Sequence, residues 1–127
     1  MEREMKDLIQ DYRNLSGNVW VPTADVYEND RQVMIFVDIP GVNPDQVKIT
    51  LGNRSILITG ERPGPLPRDV LRIHQMEIDA GVFKRRIPLP GPVDFERSHS
   101  TYKNGLLKIV LPKKQKPETI QISIETE

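Results

Sequence analysis

Residues 32–39 read QVMIFVDI, with Val33, Ile35, Val37 and Ile39 on every second position. A period of two places those four side chains on one face of an extended strand. Pro40-Gly41 ends the run, since proline lacks the N–H a ladder needs and glycine admits turn geometry. The same period continues on both sides. ADVYEND (24–30) reads as a short strand closed by a turn at Asn29-Asp30. QVKITL (46–51) aligns Val47, Ile49 and Leu51, Gly52-Asn53 turns the chain, and SILITGE (55–61) aligns Ile56 and Ile58. GVFKRRI (81–87) and GLLKIVL (105–111) are later strands, the second launched by Asn104-Gly105, the strongest short hairpin signal. Most of the eleven prolines fall between these runs, at Pro63, Pro65, Pro67, Pro88, Pro90, Pro92 and Pro112, so they punctuate strands rather than interrupt them. Short strands, frequent turns and no long interior helix predict a β-sandwich.

The 127 residues suit one domain with short arms. Lys plus Arg and Asp plus Glu both count 18, for a formal net charge of zero. That balance offers nucleic acid or an anionic membrane no attraction, and leaves self-association unopposed. The absence of cysteine excludes a disulfide framework, a thiolate nucleophile and a cysteine metal site. MEREMKDLIQ (1–10) is too charged for a signal peptide, and no apolar run approaches membrane length. A soluble, cytoplasmic protein is the default expectation.

Three segments lie outside the sandwich pattern. In residues 1–19, Met1, Met5, Leu8, Ile9, Tyr12 and Leu15 recur at spacings of three and four. This reads as a short amphipathic helix with a docking stripe, or as a frayed arm. ERPGPLPRDVLRIHQME (61–77) is long for a hairpin connection. Loops of that length are usually functional or carry structure of their own. Val70, Leu71 and Ile73 inside it would suit a strand that leaves its own sheet; the alternative is a solvated loop. Last, Ile120, Ile122 and Ile124 alternate in a lone strand-like stretch beyond the charged, proline-bounded PKKQKP (112–117).

The pieces, in order, resemble the small heat-shock proteins, the α-crystallin-domain family. WVPTADVYEND is similar to the family's opening, with Trp20, Pro22, Asp25 and Glu28 in place. VDIPGVNPDQVKITL, ILITGER, GVFKRRIPLP, STYKNGLLKIVLPK and the terminal IQI each resemble a family segment, and the match covers nearly the whole chain. The signature alanine is Ser100 here, and the N-terminal arm is very short for the family. The resemblance implies an all-β, immunoglobulin-like antiparallel sandwich at 20–112. It would be flanked by an N-terminal arm (1–19) and a C-terminal extension (113–127) with the Ile-x-Ile motif.

The resemblance also implies an ATP-independent holdase that binds partly unfolded clients and prevents their aggregation. Its partners would be itself, as a dimer and a larger homo-oligomer, and non-native client proteins, with no nucleic acid and no membrane. The dimer would exchange the strand carrying Val70, Leu71 and Ile73. From the sequence alone, either Arg85 or Arg86 pairs with an acid across that dimer; the resemblance assigns Arg85. The terminal strand, with Ile120 and Ile122 in the family's register and Ile124 as a third candidate, would enter a groove on another subunit. Val47, Ile49 and Leu51 would form one wall and residues 98–102 the other. The alternative is that the strand folds back into its own subunit's groove. The linker 113–119 reaches roughly 25 Å when extended.

Chemistry is otherwise sparse. His74 and His99 are the only histidines. Ser98, His99 and Ser100 alternate between faces of a strand, so they do not converge as a triad. No HExxH, cysteine pair or phosphate loop is present, so no catalytic residue, metal site or cofactor is expected. The competing function is a β-sandwich co-chaperone or adaptor that docks on a folded partner; it would need neither the exchange strand nor the terminal IQI.

Overall fold

The computed structural model describes residues 19–52, 54–115 and 121–126. The helical reading of the N-terminal arm, Asn53, most of the linker and Ile120 lie outside those residues. Among the described residues seven strands form two antiparallel sheets: β1 (Ala24–Glu28), β2 (Gln32–Asp38), β3 (Lys48–Leu51), β4 (Ser55–Arg62), β5 (Gly81–Pro88), β6 (His99–Lys103) and β7 (Leu106–Pro112). One sheet has the order β1-β2-β7-β6, the other β3-β4-β5.

The period-two stretches supply the core. Val33, Ile35, Val37 and Ile39 are fully buried and meet Ile56, Ile58, Phe83 and Ile87 of the other sheet. Each such side chain contributes about 1.5–3 kcal/mol of transfer free energy. β2 pairs with β7 from Gln32↔Pro112 to Asp38↔Leu106, so Ile35 lies beside Ile109 and Val33 beside Leu111. A one-residue slip would turn all of them to solvent, which fixes the register.

Turn chemistry agrees with the pattern. The Asn29 side chain accepts from the N–H groups of Arg31 and Gln32, both at 2.9 Å, and closes the β1–β2 hairpin. Asn104 and Gly105 have φ of 54° and 79°, the left-handed pair a tight two-residue hairpin requires. The Gly105 carbonyl accepts from Ile39 N–H at 2.9 Å. Between Pro40-Gly41 and β3 the chain forms one 3-10 turn (Pro44–Gln46) capped by Asn43, so the strand begins at Lys48 rather than Gln46.

The crossing between sheets orients the molecule. Trp20 pairs with β5, donating to the Val82 carbonyl at 3.0 Å and accepting from Lys84 N–H at 3.1 Å. Three residues later the Thr23 carbonyl accepts from Asp38 N–H of β2. The β1 and β5 edges therefore lie on the same side of the sandwich. β3 and β6, the other outer strands, share the opposite side.

Candidate functional site: an open groove and its neighbouring edges

The side shared by β3 and β6 is open. Ile49 pairs with Ile58 and Leu51 with Ile56, so both face the core, and with Val47 they pack against it while remaining only half-buried. On β6, Ser100 pairs with Ile109 and Tyr102 with Leu107, which places both on the inner face. Ser100 is nevertheless exposed. An inward-facing residue can be exposed only where the gap between the sheets reaches solvent. The groove thus has an aliphatic wall of Val47, Ile49 and Leu51 and a wall of Ser100 and Tyr102, and the ladder partners behind those walls, Ile58 and Ile109, are buried in the core. The Tyr102 hydroxyl donates to the Ile39 carbonyl at 2.9 Å and holds the β6 wall to the end of β2.

Sequence reasoning left open which of residues 98–102 face the groove. The signal was present in Asn104-Gly105. A two-residue turn sets Lys103 opposite Leu106, hence Tyr102 opposite the inward Leu107 and Ser100 opposite Ile109. His99 pairs with Val110 on the outer face, so its side chain and that of Ser100 point to opposite faces of the sheet.

The remaining expected site residues lie elsewhere. Val70, Leu71 and Ile73 belong to a segment, 63–80, that forms no strand within the chain. Val70 is half-buried, while Leu71 is 91% and Ile73 44% exposed. Asp69 just before them has a left-handed φ of 58°, which redirects the chain at their start. On the same side of the molecule as this segment's root, β1 is an outer strand with Val26 and Tyr27 exposed. Ile122 and Ile124 are 88% and 94% exposed and lie outside any strand. They do not fill the groove of their own subunit.

The two arginines separate by face. Arg85 pairs with Ile58 and so points inward at the β5 edge, half-buried, with Nη1 donating to the Pro22 carbonyl at 3.4 Å. Arg86 pairs with Leu57 on the outer face and is exposed, donating to Ser55 Oγ at 3.1 Å. Arg85 thus sits where the chain crosses between sheets, near β1.

Among the described residues no polar or charged side chain is buried, and no group of three or more His, Cys, Asp or Glu could hold a metal. Also among them, no helix is long and apolar enough to cross a membrane. What the geometry offers is adhesive. An outer strand presents free backbone donors and acceptors beside an apolar slot, and an extended segment with a hydrophobic residue at every second position would complement both.

The model of the Hsp20/alpha crystallin family matches residues 25–125. The chain belongs to the Hsp20/alpha crystallin family. A probable 15 kDa heat shock protein of Leptospira interrogans is 30% identical over 109 residues, covering 86% of this chain and 82% of that one. Small heat shock protein C2 of Rickettsia felis is 28% identical over 105 residues, covering 83% of this chain and 68% of that one. Among solved structures, heat shock protein 16.0 of Schizosaccharomyces pombe superposes with a TM-score of 0.68 at 30% identity, covering 84% of this chain and 99% of that one. A small heat-shock protein from Xylella fastidiosa, described as having a distinct high-order structure, gives 0.71 at 26% identity, covering 86% of this chain and all of that one. Small heat-shock proteins are chaperones, and the sandwich described above is their α-crystallin domain.

Proposed function

We propose that this small heat-shock protein is a cytoplasmic, ATP-independent holdase that binds partly unfolded proteins and keeps them from aggregating. The observation that carries the reading is the open groove between β3 and β6, half-buried on its apolar wall and unoccupied by the chain's own Ile122 and Ile124. Unfolding clients expose apolar segments and free strand edges, which is what such a slot accepts. Holding them is mass action and needs no reaction chemistry, so the activity calls for no catalytic residue or cofactor.

Assembly supplies the other half of the reading. The domain at 20–112 dimerises by exchange of the segment carrying Val70, Leu71 and Ile73, with Arg85 paired to an acid of the partner. Its inward, half-buried position supports Arg85 over Arg86. The extension then carries Ile120 and Ile122, with Ile124 as a further candidate, into the groove of a neighbouring subunit. Lys113 and Lys114 remain bonded to the domain, donating to the Arg31 and Pro92 carbonyls at 2.8 and 3.1 Å. The linker beyond them is 115–119, which spans roughly 17 Å when extended. That reach favours an adjacent subunit over a distant one. The Xylella fastidiosa protein, described as having a distinct high-order structure, supports homo-assembly, and the N-terminal arm at 1–19 docks onto a partner or a client.

Heating a model client with this protein in ATP-free buffer and passing the mixture over a size-exclusion column tests the reading. Co-elution of client and chaperone in one soluble high-mass peak is expected. A client that pellets alone, with the chaperone eluting at its unheated position, contradicts it.

A further inference from the structure

The two ends of the 63–80 segment are closed by one side chain. Arg62, the last residue of β4, directs Nε and Nη2 at the Asp79 carbonyl, at 3.0 and 2.6 Å, and Nη1 at the Pro40 carbonyl, at 3.3 Å. Its guanidinium carbon lies 4.3 Å from the centroid of the Trp20 ring. Trp20 donates from Nε1 to the Gly81 carbonyl at 3.1 Å and packs on Phe83 at 5.2 Å between ring centroids. Gly81 has a φ of 89° and pairs with Arg62 across the ladder. Four separate stretches of chain meet here: the exit of the N-terminal arm, the β2–β3 turn, the end of β4 and the start of β5.

We propose that Arg62 and Trp20 form a clamp that fixes the root of the 63–80 segment, making Arg62 a positioning residue for dimerisation. The proposal rests on the exchange reading of residues 70–73. Guanidinium-to-carbonyl bonds are charge-assisted and hold a planar fork in one orientation. A segment anchored at its root samples fewer arrangements before docking, and so loses less conformational entropy when it does. Lysine carries the same charge but has neither the fork nor the flat surface that stacks on tryptophan. It cannot bridge two carbonyls and cover an indole at once. The clamp also joins the arm's exit to the exchange segment, so both leave the sandwich from one rigid node.

Trp20 is the only tryptophan in the chain, so its fluorescence reports on the clamp directly. The test compares full-length protein with Arg62→Lys and Arg62→Ala, adding sedimentation velocity and urea unfolding. In both variants Trp20 emission should move to the red and become more easily quenched by acrylamide. The dimer dissociation constant should rise about tenfold, on the scale of losing one charge-assisted bond. The urea midpoint of Arg62→Lys should stay near that of the parent, which separates positioning from general destabilisation. Unchanged Trp20 emission and quenching overturn the clamp. Shifted emission with a dissociation constant within about twofold of the parent overturns the positioning role. A monomeric parent chain overturns the exchange reading, and the positioning role with it, whatever Trp20 reports.

Discussion

The ring of Phe83 occupies the space that a side chain at Gly60 would need. The two residues are partners across the β4–β5 ladder, and a Cβ at Gly60 would lie 2.5 Å from Phe83 Cζ and 2.9 Å from Cε1. Phe83 is fully buried in the core cluster and packs against Trp20, so its ring cannot shift without displacing a neighbour. Gly60→Ala should therefore destabilise the fold by about 1–3 kcal/mol, the usual cost of overpacking. Urea unfolding followed by Trp20 fluorescence checks this. An unchanged midpoint would mean that the ring can move aside.

Tyr102 ties the groove wall to the end of β2. Tyr102→Phe removes the hydroxyl that bonds the Ile39 carbonyl and leaves the ring in place. A loss of about 0.5–1.5 kcal/mol is expected, with near-parental far-UV circular dichroism. Amide hydrogen exchange at β6 should rise more than at β2, because β6 is an outer strand and β2 lies inside its sheet.

The strands were legible because burial on one face imposes a period. Val33, Ile35, Val37 and Ile39 could be assigned to a single face from QVMIFVDI alone, and Asn104-Gly105 marked its hairpin. Val70, Leu71 and Ile73 were harder to read. They carry strand-forming side chains, yet a strand needs a paired edge, and the chain by itself gives them none. The face of Arg85 follows from its pairing with Ile58, a register that the adjacent Arg85-Arg86 pair does not reveal. The Arg62 clamp left no trace in the sequence. Its acceptors are backbone carbonyls 17 and 22 positions away, and any residue type supplies a carbonyl.

Replacing residues 68–75 with a short Gly-Ser bridge should yield a folded monomer. The segment forms no strand within its own chain and contributes nothing to the buried core, so the sandwich should survive. Mass from light scattering after size-exclusion chromatography checks the state, and a variant that stays dimeric refutes the assignment of Val70, Leu71 and Ile73.

Changing Ile120 and Ile122 to Ala, or truncating after Lys116, should leave folded dimers where the full-length chain forms larger species. Two buried isoleucines supply roughly 3–6 kcal/mol against an association cost of about 4–15 kcal/mol. A single tail contact is therefore weak, and only several in a closed assembly hold together. The same chromatography reads the result. A full-length chain that is already a dimer at tens of micromolar shows that the tail does not build assemblies under those conditions.

Holding unfolding proteins without ATP is tested most directly by light scattering from a thermally aggregating client, heated with and without this protein in nucleotide-free buffer. The scattering should fall in proportion to the amount of protein added, and adding ATP should change nothing. Scattering that stays at the client-alone level with the protein in excess, as an adaptor or an enzyme would leave it, contradicts the holdase.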